Sequence, residues 1–212
     1  MSREPAPFGA DHFGGEGARI AAAHLGMWVF IATEVLLFGA LFTSYGVYRL
    51  EYPELFHEAR THMSLLYGTF NTYVLVTSSI FVALAIWAIR SSRSWLSALL
   101  LSCAMALGIV FMVVKGLEYA EHVREGAMPG HWYALEAFAE PGANLYFSLY
   151  YLLTGLHAVH VMIGTCMLGV LAFQTAAGKF SAVFHTPLEL GGMYWHLVDV
   201  IWLFVWPLLY LV

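Results

Sequence analysis

Six ionisable side chains lie within or beside long apolar stretches of the sequence, and residues of these types can exchange protons or bind metals. They are Glu34, Glu118, His157, His160, His196 and Asp199. An ionisable group inside a membrane costs roughly 2.5–3.5 kcal/mol unless a partner, water or a change of protonation state compensates for it. Each of the six therefore needs a physical reason for its position.

Glu34 stands in the apolar sequence FIATEVLLF, as the tenth residue of a predicted span from Leu25 to Val47. A helix rises about 1.5 Å per residue, which places the carboxyl roughly 15 Å deep, near the middle of a bilayer. Burial at that depth favours the neutral, protonated acid. Two readings remain open: a carboxyl that exchanges protons in the membrane, and a neutral acid hydrogen-bonded to a neighbouring helix.

His157 and His160 are three residues apart in TGLHAVHVMIGT, and Gly164 follows one turn further along the same stripe. Residues at this spacing share one side of a helix. A small residue on that side lets another helix approach closely. We therefore expect both histidines to face the interior of a helix bundle and to form hydrogen bonds there.

A second pair with this spacing lies near the start of the last apolar stretch, where YWHLVDVIW places His196 and Asp199 on one helix face. Glu118 follows Lys115 by three residues and is predicted to close the third apolar span. Together with the two histidines, these groups are predicted to make polar contacts between helices or with lipid.

The more specific alternative is that the histidines bind haem or a metal ion. Two histidines one turn apart on one helix cannot occupy opposite faces of a haem, and only His196 offers a partner from another span. A zinc or copper site built from His157, His160, His196 and Asp199 is chemically possible. Because His196 is predicted near a helix end and the other two histidines in mid-helix, we favour hydrogen bonding and expect no metal or cofactor on this chain.

The elements that position these residues are predicted from hydropathy. Of the 212 residues, 60% are hydrophobic and only 11% charged, which is unlike a soluble domain. Five stretches reach the roughly 20 residues that a helix needs to cross a bilayer: Leu25–Val47, Leu65–Ile89, Trp95–Val114, Leu145–Phe173 and Gly192–Val212. Since backbone groups in lipid must be satisfied within their own segment, the sequence predicts an all-α, polytopic membrane protein with a bundle of five transmembrane helices.

Residues 1–23 are predicted to form a polar N-terminal segment, and residues 24–212 the membrane domain. The apolar run after residue 23 contains Glu34 and ends without a small-residue cleavage site, so a cleaved signal peptide is not expected. With a cytoplasmic N-terminus, five basic residues lie on the cytoplasmic side and four on the other, which favours that orientation. These are Arg3, Arg19, Arg90, Arg93 and Lys179 against Arg49, Arg60, Lys115 and Arg124. The net charge of −5 includes no basic cluster, so a nucleic-acid partner is not expected.

Aromatic residues near the predicted span ends indicate an interfacial belt. They are Tyr45, Tyr48, Trp87, Trp95, Tyr119, Tyr146 and Trp195.

Four stretches resemble the successive helix signatures of a known family: GMWVFIATEVLLFGALF, GLEYAEH, TGLHAVHVMIGT and YWHLVDVIWLFVWPLLYL. In their order and separation, from about His24 to the C-terminus, they are similar to subunit III of the haem-copper oxidases, the cytochrome c oxidase subunit III family. The chain begins where the third helix of seven-helix members begins, and so resembles the five-helix bacterial form.

The resemblance implies an accessory, non-redox subunit that packs against the catalytic subunit I, with subunit II in the same complex. Haem and copper are then expected in those partner subunits, and phospholipid on this chain. The family's roles are proton uptake into subunit I, lipid binding and protection against inactivation during turnover. The implied location is the bacterial cytoplasmic (inner) membrane, with the N-terminus cytoplasmic.

The resemblance also matches individual residues to positions in the family's motifs. Glu34 matches the buried carboxylate that reacts with carbodiimide in the family. His157 and His160 match an HxxHxxxG signature, and His196 and Asp199 match WHxxD.

Other functions stay open at this point. Within the superfamily they are subunit III of a quinol oxidase, or an accessory subunit of nitric oxide reductase. Outside it they are a small membrane cytochrome, which would absorb as haem, and a proton-coupled transporter that uses Glu34 and the histidines as a relay. A transporter would be expected to show broken helices or repeated halves.

Overall fold

The computed structural model describes residues 15–61, 63–128 and 143–211, except for the side chains of residues 60, 61 and 143. These residues form six α-helices and a final π-helical turn. Their bounds are α1 Glu16–Glu51, α2 Pro53–Thr61, α3 Leu65–Arg90, α4 Ser94–Arg124, α5 Ala143–Ala176 and α6 Thr186–Trp206, followed by the turn Pro207–Leu211. The prediction of an all-α chain is confirmed. Of the predicted polar segment, residues 1–14 lie outside the described residues.

The helices α1, α3, α4 and α5, and α6 with its final turn, are each long and apolar enough to cross a membrane. The prediction of five transmembrane helices is therefore confirmed. All five extend beyond the apolar stretches from which they were predicted. A helix that satisfies its own backbone can continue through the interface until a turn signal ends it.

The third span shows why its predicted end was wrong. Instead of ending at Val114, α4 continues to Arg124 and carries Lys115 and Glu118 inside the helix. The two side chains are separated by three residues, and their charges compensate each other, so neither ends the helix. Glu118 thus does not close the helix but lies in its buried face.

The start of the last span was also predicted too late. The helix α6 begins at Thr186, with Pro187 in its first turn, instead of at Gly192. His196 consequently lies in the middle of α6. The prediction that His196 lies at a different depth from His157 and His160, which argued against a metal site, was therefore wrong.

Two short elements at one end of the bundle were not predicted. The nine-residue helix α2 is amphipathic and buries Leu55, Phe56 and Ala59, packing against α5, α1 and the final turn. The α-helical pattern of α6 ends at Trp206, because Pro207 has no amide hydrogen to donate and the chain continues as a π-helical turn.

The core is formed by α3, α4, α5 and α6, which pack against one another in a four-helix arrangement. The helix α1 lies outside it, mainly against α6, and buries only Phe38 and Tyr45 along its 36 residues. Most of α1 therefore faces away from the rest of this chain.

Trp195 packs tightly between two helices at glycine positions. A Cβ on Gly164 of α5 would lie 2.8 Å from Trp195 Cε3, and one on Gly108 of α4 would lie 3.0 Å from Trp195 Cη2. The indole ring occupies the space that two missing side chains leave. Gly164 does permit a close helix approach, as its position in the sequence predicted.

The predicted aromatic belt is only partly present. Trp87, Trp95 and Tyr48 are exposed as expected, but Tyr45, Tyr146 and Trp195 are buried in the core. The reason is the greater length of the helices, which moves these three residues from the predicted span ends into packed regions.

Candidate functional site

Glu34 and His160 form a pair between α1 and α5. Glu34 Oε2 lies 2.9 Å from His160 Nε2. The other ring nitrogen of His160, Nδ1, lies 2.8 Å from the backbone oxygen of Leu156 one turn earlier. The side chains of Glu34 and His160 are 13% and 12% exposed, so the pair lies at the edge of the bundle and not in its centre. Within the part of the chain that the structure describes, His160 is thus the hydrogen-bonding partner of the Glu34 carboxyl.

Aromatic rings lie beside this pair. Phe38, on α1, packs edge-on against the His160 ring with centroids 5.4 Å apart. From α6, the Tyr194 hydroxyl donates a hydrogen bond of 3.1 Å to the backbone oxygen of His160. Phe30 stacks on the Tyr194 ring. Apolar walls of this kind strengthen the electrostatic interaction between the two polar groups.

His157 has a different environment. Its ring is fully buried and packs against Phe111 of α4 and Trp202 of α6, with centroid distances of 5.7 and 5.1 Å. Neither ring nitrogen has a hydrogen-bond partner among the described residues. The expectation that both histidines form hydrogen bonds is wrong for His157. Three residues advance a helix by about 300°, so His157 and His160 point about 60° apart and meet different helices.

A second buried cluster surrounds Lys115 and Glu118. Lys115 Nζ donates to Glu118 Oε2 at 3.0 Å, to the Tyr150 hydroxyl at 3.0 Å and to the Tyr210 hydroxyl at 2.7 Å. Both tyrosine hydroxyls in turn donate to Glu118 Oε1. All three protons of the ammonium group are used, and the carboxylate accepts three hydrogen bonds. This cluster joins α4, α5 and the C-terminal turn.

Aromatic rings complete the environment of Lys115. Its Nζ lies 5.4 Å from the ring centroids of Tyr119 and Trp202, while it meets Tyr150 and Tyr210 at their hydroxyl groups. Contacts between a cation and aromatic rings are most favourable when water is excluded, as it is here. Sequence reasoning missed this cluster because it treated Lys115 as a loop charge. The signal that was present is the KGLEY motif, which places a lysine and a glutamate three apart directly after an apolar run.

His196 and Asp199 do not form a pair with each other. His196 Nδ1 lies 2.6 Å from the Ser79 hydroxyl of α3. The same serine faces the Asp199 carboxyl, which is only 4% exposed. Neither Asp199 oxygen has a hydrogen bond of ordinary geometry to the described residues. Ser79 is the point at which α3 meets both His196 and Asp199 of α6.

Glu189 gathers three basic side chains at the opposite end of the bundle from Lys115. It pairs with Arg90 of α3, with His185 at 3.1 Å and with His24 of α1 at 3.5 Å. The cluster joins α1, α3 and the start of α6. Sequence reasoning missed it, although the i, i+4 spacing of His185 and Glu189 was visible.

The four side chains of the hypothetical zinc or copper site are not brought together. His160 contacts Glu34, His157 lies among aromatic rings, and His196 contacts Ser79. In residues 15–61, 63–128 and 143–211, no group of three or more His, Cys, Asp and Glu side chains is placed to hold a metal ion.

These features define a class of protein: a polytopic helical membrane protein in which buried carboxyl groups join helices to one another. A model of the family described as cytochrome c oxidase subunit III matches residues 16–212. The chain belongs to the cytochrome c oxidase subunit III family, whose members are subunits of haem-copper oxidase complexes. The resemblance carried by the helix signatures is thereby confirmed.

Individual relatives agree with this assignment. The chain is 31% identical to the cytochrome c oxidase subunit 3 of Thermostichus vulcanus, in a match that covers 92% of the chain and 94% of that protein. It is 27% identical to a probable quinol oxidase subunit 3 of Staphylococcus haemolyticus, over 89% of the chain and 88% of that protein. It is 30% identical to a haem-copper oxidase subunit I+III of Aeropyrum pernix, over 88% of the chain but 22% of that longer protein.

Proposed function

We propose that the chain is the accessory, non-catalytic subunit III of a bacterial haem-copper terminal oxidase. In this proposal subunit I reduces oxygen to water and moves protons, and haem and copper belong to subunits I and II. The present chain supports proton uptake, binds phospholipid and protects the oxygen-reducing site during turnover. The observation that carries the proposal is the Glu34–His160 pair, an ionisable pair in the middle of two helices that are long and apolar enough to span a membrane, at the edge of the bundle.

The outer face of α1 supports a partner within the membrane. Leu25, Trp28 and Leu36 are each more than half exposed in the isolated chain. An apolar helix face of this kind contacts lipid or another membrane protein. The Aeropyrum pernix relative, named as subunit I+III, contains both subunits in one chain, which supports a partnership with subunit I here.

An apolar groove between α4 and α5 supports lipid binding. Its volume is 820 Å³, and its lining includes Met105, Met112, Met162, Cys166, Gly169 and Phe173. Unbranched methionine side chains adapt to irregular apolar ligands. We propose that this groove accepts phospholipid acyl chains.

The orientation proposed is N-terminus in the cytoplasm of a bacterium. Lys115 is buried and paired, so it no longer counts as a loop charge, and three basic residues remain on the outer side against five on the inner. The relative from Thermostichus vulcanus, named as a cytochrome c oxidase subunit 3, supports cytochrome c as one candidate for the electron donor of the complex. The Staphylococcus haemolyticus relative supports a quinol oxidase as the second candidate.

Glu34→Gln tests the proposed proton role. Glutamine keeps the shape and a hydrogen-bonding group but cannot titrate, so we expect the oxidase complex to assemble and to consume oxygen at a near-normal initial rate. The proton-to-electron ratio in vesicles should fall, or activity should decay sooner in turnover. Glu54→Gln, at an exposed carboxylate on α2, is the matched control.

Two outcomes would contradict the proton role. If Glu34→Gln leaves both the proton ratio and the lifetime unchanged, the carboxyl is only a link between helices. If it prevents assembly, the residue is structural. Labelling supplies an independent readout: a hydrophobic carbodiimide should modify Glu34 before Glu54, because it reacts with protonated acids reached through lipid.

A further inference from the structure

Three core helices each place one buried ring at the same level of the bundle. The helices α3, α4, α5 and α6 pack in a closed ring, in which each contacts the one before it and the one after it. Phe111 of α4, His157 of α5 and Trp202 of α6 contact one another, with ring centroids 4.9 to 5.7 Å apart. These contacts define one level at which three helices face the interior.

Asn71 of α3 lies at this level too. Ser78 of α3 donates a hydrogen bond of 3.1 Å to the backbone oxygen of Ala104 in α4. The two helices are antiparallel, because a short turn joins the end of α3 at Arg90 to the start of α4. Seven residues make about two helical turns, so two turns along each helix from this contact Asn71 lies opposite Phe111.

A contact with α6 gives the same level for Asn71. Trp202 Nε1 donates a hydrogen bond of 3.0 Å to the hydroxyl of Thr72, the residue next to Asn71 in α3. We call Asn71, Phe111, His157 and Trp202 the central layer. Each of the four is at most 1% exposed. Every helix of the core therefore contributes one buried side chain to it.

The two polar members of the central layer have no protein partner in the described part of the chain. This holds for both polar atoms of the Asn71 amide and for both ring nitrogens of His157. Phe111 has no polar side-chain atom, and Trp202 gives its N–H to Thr72. Buried polar side chains are nearly always hydrogen-bonded, either to protein or to ordered water.

The polar groups one turn away are already engaged. Lys115, four residues after Phe111, gives its three ammonium protons to Glu118 and two tyrosine hydroxyls. Thr154, three residues before His157, bonds to the Tyr150 backbone oxygen and to the Tyr119 hydroxyl. The central layer therefore requires a ligand that both donates and accepts hydrogen bonds.

We propose that the central layer binds an internal water molecule that bridges Asn71 and His157. An amide group has donors and an acceptor, and a neutral imidazole has one of each. One water can therefore accept from one residue and donate to the other, whichever tautomer the ring has. Buried waters typically make about three such hydrogen bonds to protein groups and are costly to remove. The site lies inside this chain and does not depend on the proposed function.

An electron cryo-microscopy map of the intact complex, at a resolution that shows other buried waters, tests the site. We expect a density peak about 2.7–3.2 Å from an amide atom of Asn71 and from a ring nitrogen of His157. A direct hydrogen bond between the two side chains, or no peak between them, would overturn the proposal.

Asn71→Leu removes one partner of the water. Leucine has the same branching as asparagine but no polar atom, so the density peak should disappear. His157 is then left without a partner, and we expect the midpoint of thermal unfolding to fall by about 2–4 °C. Adding His157→Leu should recover part of this loss, because no polar group then remains unsatisfied in the central layer.

Ser78→Ala is the matched control. It removes a buried hydroxyl that bonds directly to protein, about 10 Å along α3 from Asn71. The water peak should remain, and the loss of stability should add to that of Asn71→Leu. If the losses of Asn71→Leu and His157→Leu also simply add, or if the peak persists in both, the proposal is overturned. Should Asn71→Leu fail to assemble, the map of the unmodified complex decides.

Discussion

At the scale of single residues, the groups around a buried ionisable side chain decide what it can do. Glu118 is surrounded by three donors, whereas Glu34 contacts a single imidazole nitrogen. The same residue type therefore joins three side chains in one place and only one in the other. His157, packed among rings without hydrogen bonds, contributes to neither.

Removing one member of the Lys115–Glu118 pair should be strongly destabilising. Lys115→Met leaves a buried carboxylate without its cation, and such a loss costs about 3–5 kcal/mol. We expect a lower denaturation temperature and a lower yield of the purified complex. Adding Glu118→Met should recover part of the loss, because no buried charge then remains unpaired.

Tyr119→Phe is the control for this cluster. It removes a hydrogen bond to Thr154 but no charge, and interhelical hydrogen bonds in membranes average about 0.6 kcal/mol. A loss in Lys115→Met no greater than in Tyr119→Phe would contradict the account of the ion pair.

Sequence alone could place Glu34 in mid-membrane and His160 on a helix, but could not join them. The two residues are 126 positions apart, and their contact depends on how α1 packs outside the core. The burial of Lys115 was hidden for a similar reason, since its tyrosine partners come from α5 and the C-terminal turn.

At the scale of elements, tight packing at glycines determines how closely the helices approach. The Trp195 ring packs against Gly108 of α4 and Gly164 of α5. A Cβ on Gly68 of α3 would lie 2.9 Å from Trp206 Cδ1 and 3.0 Å from Tyr210 Cδ1. Because large rings pack directly against the backbone at these glycines, the helices can slide past one another in few alternative registers.

Gly164→Ala should destabilise the bundle. Its new Cβ would lie 2.8 Å from Trp195 Cε3 and 3.1 Å from Tyr194 Cε1, and the Trp195 ring is fully buried, so it has little room to move away. Overpacking of this kind costs about 1–3 kcal/mol, measured as a lower thermal stability of the complex in detergent.

Gly155→Ala, in the same helix, is the matched control. The nearest atom to its new Cβ is the Tyr119 hydroxyl oxygen at 3.8 Å, an ordinary contact. This change should be neutral or raise stability by up to about 1 kcal/mol, because alanine favours helix. Equal losses in the two variants would argue against the packing of Trp195.

The five spans were predictable because hydropathy over 20 residues is a strong signal. Their ends were not, because paired charges such as Lys115 and Glu118 extend a helix without lengthening its apolar stretch. The short helix α2 escaped prediction because nine amphipathic residues give a weak pattern.

At the scale of the whole molecule, the helices of the bundle are packed asymmetrically. Four helices form a core, while α1 is attached at its side through a few contacts, among them Glu34–His160 and His24–Glu189. The order in which helices surround a core depends on side-chain fit between distant segments, which hydropathy does not report.

The orientation can be tested with single cysteines in a chain lacking Cys103 and Cys166. A cysteine at Glu54, exposed on α2, should react with an impermeant thiol reagent in intact spheroplasts. A cysteine at Val183, which is 93% exposed after α5, should react only after lysis. The reverse pattern would place the N-terminus outside.

Purification of the tagged chain in mild detergent tests the central claim most directly. If the chain is an accessory subunit of a haem-copper oxidase, a haem-bearing partner should co-purify with it, and the fraction should show a reduced-minus-oxidised haem spectrum and consume oxygen. Stripping the partner with harsher detergent should leave this chain without haem absorption. Purification of the chain without any haem protein, or haem absorption that stays with the isolated chain, would contradict the account.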